Sequence, residues 1–166
     1  MPSFSMPRPE QPAKIRLRRA DPRSDSADSR AVWEWRNDPA TRAMSRNSEV
    51  ISWEAHSAWY ERVAVAPDRV LLIAEFECEA IGMVRFDMHV ADAAEISINL
   101  APAARGRRLA RPLIEAAKDY GFAVLDLQRI DAAIKPENAV SMRVFEAAGF
   151  KYLELRDSLL AYELLR

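Results

Sequence analysis

Ala94-Glu95-Ile96-Ser97-Ile98-Asn99-Leu100, followed by Ala101-Pro102-Ala103-Ala104-Arg105-Gly106-Arg107-Arg108-Leu109-Ala110, is the stretch that decides the fold. Its first part alternates cleanly. Ile96, Ile98 and Leu100 point one way and Glu95, Ser97 and Asn99 the other, which is the pattern of a strand with two different faces. Pro102 stops the strand, and an arginine-rich turn follows. A helix then runs to about Phe122 on a stripe of Leu109, Leu113, Ala116, Ala117 and Tyr120, at three-to-four spacing. A helix N-terminus presents unpaired N–H groups and the positive end of its dipole. A strand that leads through small residues into such an end is therefore suited to holding a pyrophosphate. Arg105, Arg107, Arg108 and Arg111 add positive charge there, although on spacing alone a solvated basic helix start is the plainer explanation.

A second stretch lies downstream: Lys135-Pro136-Glu137-Asn138, Ser141, then Phe145-Glu146-Ala147-Ala148-Gly149-Phe150. Residues 128–134 read as a strand that breaks before Pro136, and residues 139–148 as a helix. Asn138 is placed to cap that helix and Gly149 to close it. Upstream, residues 15–19 predict a first strand and residues 31–36 a short helix broken at Asp38-Pro39. Ser52 is a predicted N-cap for a helix over 53–63. Residues 70–76 and 80–87 predict a hairpin turning at 77–79, and residues 152–156 and 159–165 a final strand pair. Gly82 inside a strand indicates a bulge or a close backbone approach.

In combination, the two stretches resemble the GNAT superfamily of acetyl-CoA-dependent N-acetyltransferases. The phosphate turn of that family follows a Gln/Arg-x-x-Gly-x-Gly/Ala pattern, with Arg105 in the first position here and Ala110 in the last. The family's Asn-x-x-Ser/Ala helix, ending in Glu-x-x-Gly-Phe, corresponds to Asn138, Ser141, Glu146, Gly149 and Phe150. The resemblance spans Ile15 to Leu165. It implies an α/β (α+β) fold with a mixed, mostly antiparallel sheet of about seven strands flanked by helices on both faces. It also implies acetyl-CoA as acetyl donor. Ile98 and Leu100 would pair with its pantetheine amides, and the backbone of Arg105, Gly106, Arg107, Arg108, Leu109 and Ala110 would hold its pyrophosphate, with Asn138 and Ser141 alongside.

Two positions depart from the family pattern. Arg108 stands where the turn has its central glycine, and its side chain either crowds the pyrophosphate or pairs with it. Phe145 stands where many members have a tyrosine thought to protonate the leaving thiolate, and phenylalanine has no proton to give. Thiolate remains a tolerable leaving group, because a free thiol has a pKa near ~8.5. Tyr152 or a water is the substitute to examine.

Glu95, on the polar face of the central strand, is the candidate base for an acceptor ammonium, with His56 second. Asn138 joins Glu95 as a catalytic candidate by orienting the donor or a water, against simple capping. Trp35-Arg36-Asn37-Asp38, Arg42, Met44, the 51–56 stretch and Trp59 resemble acetyltransferases of ribosomal-protein N-termini. They resemble still more those acting on nucleotide-linked amino sugars in pseudaminic acid synthesis. That marks Arg36, His56 and Trp59 as acceptor-binding candidates; an internal ion pair, a satisfied buried histidine and core packing are their ordinary explanations. The favoured acceptor is then a nucleotide-linked amino sugar, with a protein N-terminus as the alternative.

Composition bounds the rest. The chain has 166 residues and a formal net charge of -1. That length suits one domain over 14–166, able to bury about 70% of its unfolded surface without disulfides or metals. One cysteine, Cys78, and two histidines leave no metal site to expect. Arginine outnumbers lysine 20 to 4, but the excess is spread along the chain. The near-zero charge and the short basic cluster argue against nucleic acid as a partner. No apolar run reaches the ~18 residues of a membrane span. The proline-rich residues 1–13 read as a flexible leader, not a secretory signal. The expected setting is the cytoplasm. The family resemblance allows a homodimer, although nothing in the sequence marks an interface. A non-catalytic acyl-CoA-binding module, suggested by Arg108 and Phe145, is the rival from another class.

Overall fold

The computed structural model describes residues 14–166; the 1–13 leader and its proposed flexibility lie outside them. A seven-stranded sheet runs through the domain in the order β1-β2-β3-β4-β5-β7-β6. Its strands are β1 (Arg16–Arg19), β2 (Arg69–Phe76), β3 (Glu79–Val90), β4 (Ala93–Leu100), β5 (Arg129–Ile134), β6 (Lys151–Arg156) and β7 (Leu159–Leu165). Every neighbouring pair is antiparallel except β4 with β5, which run parallel. The expected sheet is therefore present, one strand for each predicted run.

Alternation along β2 explains why helices cover both faces. Val70, Leu72 and Ala74 share a core with Leu113, Ile114 and Ala117 of α4 (Ala110–Ala123) and Phe145 of α5 (Ala139–Ala147). Leu71 and Ile73, one residue out of step, pack with Val32 of α1 (Ala27–Asn37) and with Tyr60 and Val63 of α3 (Trp53–Val65). A strand buried on both sides reads as a continuous apolar run, as Val70 to Ala74 does.

Two turns required special backbone. Glu77 and Cys78, at φ 51 and 65, form the β2–β3 turn, and Asp157 and Ser158 repeat these angles between β6 and β7. Both central residues lie in the left-handed region, as a two-residue hairpin demands. Gly82 is the predicted close approach: a Cβ there would stand 2.5 Å from the Asn99 carbonyl oxygen. The β2–β3 register also shifts opposite it, between Ala74 and Glu75.

The helical region before β2 differs from the sequence reading. Ser26 caps α1 by accepting from the Ser29 N–H at 3.1 Å, so this helix starts four residues before the predicted 31–36. Asp38-Pro39 ends α1 as expected. It also begins α2 (Pro39–Met44), because the Asp38 carboxylate accepts from the Thr41 N–H and proline suits a first helical turn. Arg18 on β1 ties this region to the sheet, with 2.6 Å bonds to both Asp28 and Glu75. The Arg18 guanidinium, with the Asp21 backbone N–H beside it, holds the Asp28 carboxyl below its ordinary range.

Candidate functional site

β4 and β5 pair only from Ala93 to Glu95 against Arg129 to Asp131. Beyond Glu95, β4 continues to Leu100 and β5 to Ile134 with no ladder between them, so the sheet opens into a wedge. α5 begins just past the end of β5, capped by Asn138, whose side-chain oxygen accepts from the Ser141 N–H at 3.1 Å. α1, α2 and α3 close the other side. The resulting cleft, about 520 Å³, is lined by Arg36, His56, Trp59, Glu95, Ile98, Asn138 and Ser141, among others. Candidates scattered over more than a hundred residues thus meet in one cavity.

Glu95 lies on the cleft face of β4 and accepts a 2.7 Å bond from Arg46 Nη2. Trp59 is partly exposed, with the Arg85 guanidinium 5.7 Å from its ring centre. Arg85 is in turn fixed to Asp87 at 2.7 Å. His56 is buried to 3% exposure and shares a 3.0 Å hydrogen bond with the Ser29 hydroxyl. Its imidazole packs between Trp53, Trp59 and Tyr60. Burial lowers its pKa from the ordinary value of 6.5, so the ring is neutral at pH 7. A satisfied buried histidine and a cleft residue are here the same residue.

The phosphate turn stands apart from this cavity. Pro102–Ala104 is a short 3-10 turn, Gly106 has φ +75 and Arg108 has φ +59. The position where the family has glycine therefore adopts the conformation that favours glycine. Leu109 precedes α4 with its side chain in the core, 3% exposed, and Pro112 falls within the first turn of α4, where a missing N–H costs little. Most arginines of the turn are paired within the protein. Arg105 bonds Asp38 at 2.8 Å and Thr41 at 2.7 Å, Arg107 bonds Glu79 at 2.9 Å, and Arg111 approaches Glu115 at 4.0 Å. Only the Arg108 guanidinium has no carboxylate partner among the described residues. Arg105 therefore ties the turn to the α1–α2 corner.

Other expectations resolve in the same way. Phe145 lines the cleft and meets Phe150 edge-to-face at 4.9 Å, so no hydroxyl stands at that position. Tyr152 is not a cleft residue; it sits exposed on β6 against Tyr162. His89, where the β3–β4 register shifts, bonds Asp131 at 2.9 Å outside the cleft. Cys78 is exposed in its hairpin turn, outside the cleft. Among the described residues no group of histidine, cysteine and acidic side chains is arranged to hold a metal, and no helix is long and apolar enough to cross a membrane.

Sequence reasoning missed Thr41, Arg46, Asn47, Asn99 and Lys135, which also line the cleft. Asn99 was within reach, since it shares the polar face of β4 with Glu95. Arg46 and Asn47 follow the unforeseen α2, in a segment without periodicity.

A family model described as acetyltransferase (GNAT) domain matches residues 14–151. Spermidine N(1)-acetyltransferase of Vibrio cholerae is 31% identical over 85 residues, covering 50% of this chain and 49% of that protein. The chain spans about half the length of the curated relatives it matches. Among solved structures, spermidine N-acetyltransferase from Vibrio cholerae in complex with CoA and spermine superposes with a TM-score of 0.81 at 20% identity, over 92% of this chain and 95% of that one. A domain from Methanocaldococcus jannaschii gives 0.78 at 22% identity, over 93% and 99%. At such identities the structural likeness speaks for the fold. The relatives named for spermidine give no support to the ribosomal-protein or pseudaminic-acid grouping suggested by the N-terminal half.

Proposed function

The chain belongs to the acetyltransferase (GNAT) domain family, and from that premise we propose that it transfers the acetyl group of acetyl-CoA to the primary amine of a small molecule. The observation that supports this most is the wedge between β4 and β5, with Glu95 at its apex and the phosphate turn at its outer end.

Acetyl-CoA, as donor substrate, supplies a thioester already activated for attack. The free edge of β4 around Ile98 and Leu100 suits pantetheine amides, in the manner of an added strand. Backbone N–H groups from Arg107 to Ala110, before the positive end of α4, suit its pyrophosphate. Glu95 takes the proton from the acceptor ammonium, directly or through water. The neutral nitrogen attacks the carbonyl carbon, the nitrogen gives up its second proton to water as the C–S bond breaks, and the departing thiolate takes a proton from solvent in place of the missing tyrosine. A β4 N–H near Ile98 to Leu100 steadies the oxyanion, a donor typically worth about 3 kcal/mol. Holding both substrates in register supplies much of the remaining acceleration. Asn138, besides capping α5, keeps its side-chain amide at the cleft for the donor, with Ser141 one turn on.

The acceptor named for the curated relatives is spermidine. The nucleotide-linked amino sugar read from the N-terminal half is the other reading, and it is favoured by the charge of the cleft: among the described residues Glu95 is the only carboxylate lining it, and Arg46 already holds it. A domain over 14–166 that pairs with a second copy is supported by β6, an edge strand with Tyr152, Leu153 and Leu155 exposed.

Thermal melting with acetyl-CoA, followed by a thiol-release assay with amines, tests the transferase reading. At a hundredfold excess over its dissociation constant, the donor stabilises by about 2.7 kcal/mol. A shift accompanied by amine-dependent CoA release supports the reading. A shift without release from any amine points instead to a non-catalytic acyl-CoA-binding module, which the Phe145 position favours. No shift at millimolar acetyl-CoA removes both.

A further inference from the structure

Among the described residues the cleft is lined by four cations, Arg36, Arg46, Arg85 and Lys135, against the single carboxylate of Glu95. Two of these cations already have counter-charges: Arg46 on Glu95 and Arg85 on Asp87, each at 2.7 Å. Arg36 and Lys135 have none among the described residues. The Arg36 Nη2 donates to the Asn47 carbonyl, and Lys135 Nζ donates to the Ala43 carbonyl at 3.0 Å. Arg36 Nη1 is buried with no hydrogen-bond partner, and so is Nδ2 of Asn99 on the β4 wall. Both orphaned atoms are donors. A buried donor without an acceptor is destabilising, and a charged one more so. Each such group in a folded protein calls for a specific explanation, and a cleft that gathers two of them is matched by a ligand rich in acceptors.

Resting on the acetyltransferase reading above, we propose that the acceptor is a primary amine carrying an oxyanion, a carboxylate or a phosphate, and that Arg36 binds this oxyanion through Nη1 with Lys135 supplying the second positive charge. The ammonium end of the same molecule then falls to Glu95. Burial and the neighbouring charge of Arg42 both work against the Arg36 cation. Arginine keeps its proton all the same, so an arriving oxyanion relieves both penalties. A polyamine meets the opposite situation. Its several ammonium groups enter a cleft whose one lining carboxylate among the described residues, Glu95, can meet only one of them, beside the unmatched charge of Arg36 and Lys135. Unpaired like charge of this kind is how a site rejects the wrong substrate.

The test uses the full chain, saturating acetyl-CoA and four amine probes: glycine, glucosamine 6-phosphate, a uridine-diphosphate-linked amino sugar, and spermidine, with glucosamine as neutral control. CoA release is the readout. The expected result is that at least one anionic amine exceeds both spermidine and glucosamine in kcat/KM by about tenfold or more, the scale of a charge-assisted hydrogen bond. Which anionic probe leads separates carboxylate from phosphate. R36Q then raises KM for that acceptor by roughly ten- to a hundredfold while KM for acetyl-CoA stays put. R36K, which keeps the charge and loses the fork, falls between, and K135Q gives a smaller rise with no change at Arg36. These intermediate values guard against a variant that merely unfolds, as does an unchanged melting response to acetyl-CoA. Spermidine outperforming every anionic amine overturns the assignment, as does R36Q weakening acetyl-CoA instead of the acceptor. Acetyl-CoA binding with no turnover of any anionic amine also overturns it and leaves the donor half of the site standing. Absence of acetyl-CoA binding is a different failure, that of the transferase reading itself.

Discussion

Arg46 Nη2 donates a 2.7 Å hydrogen bond to Glu95 Oε1, joining the segment after α2 to the strand that ends the β4–β5 ladder. The pair is only partly covered, with side chains 59% and 31% exposed. Exposed pairs of this kind contribute about 0–1 kcal/mol to stability. Its consequence is therefore kinetic. E95Q is expected to lower kcat by roughly 10²–10⁴-fold, the usual worth of a positioned base, with melting temperature and KM for acetyl-CoA nearly unchanged. R46Q should cost only a few-fold, because Arg46 orients the carboxylate without receiving the proton. Steady-state rates for the two variants decide this, and an E95Q enzyme of undiminished kcat would remove Glu95 from the mechanism.

Gly82 and Gly106 are both intolerant of a side chain, for different reasons. An alanine methyl at position 82 meets the Asn99 backbone oxygen at 2.5 Å, so β3 and β4 must part. G82A is expected to destabilise by about 1–3 kcal/mol, the range for overpacking a rigid interior. Asn99 borders the cleft, so this variant should also weaken substrate binding. At position 106 nothing lies within 4 Å, but φ is +75. G106A should lose about 1–2 kcal/mol to left-handed strain alone. Urea denaturation of both variants, with and without acetyl-CoA, separates a loss in the sheet from a loss in the turn.

Burial of His56 makes the fold sensitive to mild acid. Desolvation of the imidazolium puts the native pKa below the ordinary 6.5. Between those two values the unfolded chain binds a proton that the native protein does not, so stability falls as pH drops through that window. The slope is at most about 1.4 kcal/mol per pH unit. It flattens once the native pKa is passed. H56Q is expected to be less stable at pH 7, having lost the bond to Ser29, but to lack this slope. Parallel melting curves from pH 7.5 to 5 check it; identical slopes for the two proteins would place the titration elsewhere.

The sheet was legible because each strand carries its own pattern. Leu71, Ile73 and Met83 alternate with Leu72 and Val84, and the turns at Glu77-Cys78 and Asp157-Ser158 separate the runs. The donor side was legible too, since Arg105 to Ala110 and Asn138 to Phe150 are local stretches whose order along the chain is itself informative. The acceptor side was less so. Asp38-Pro39 reads as a stop, yet its carboxylate starts α2, and a residue that serves two helices has no separate mark for the second. The partners of Arg105 and Glu95 lie 67 and 49 positions away, at Asp38 and Arg46, and nothing in either stretch alone announces them.

Arg108 has a conformation that favours glycine and a charge that no carboxylate meets among the described residues. Its φ of +59 costs about 1–2 kcal/mol relative to an unstrained residue. Glycine there relieves that strain but adds about 0.5–1 kcal/mol of backbone entropy to the unfolded chain. R108G should therefore melt at the same temperature or slightly higher. Donor binding moves the other way. Arg105, Arg107 and Arg111 are engaged with Asp38, Glu79 and Glu115, which leaves Arg108 as the arginine of the turn free to pair with a pyrophosphate. A hydrogen bond to a charged group contributes about 1.5–3 kcal/mol, so R108G should weaken acetyl-CoA by roughly ten- to a hundredfold. The guanidinium is exposed, so the difference from wild type should shrink as salt rises. R108K keeps the charge and the strain, and should keep most of the affinity. Titration calorimetry at two ionic strengths measures all three proteins. Tighter binding by R108G would show that the side chain obstructs the turn.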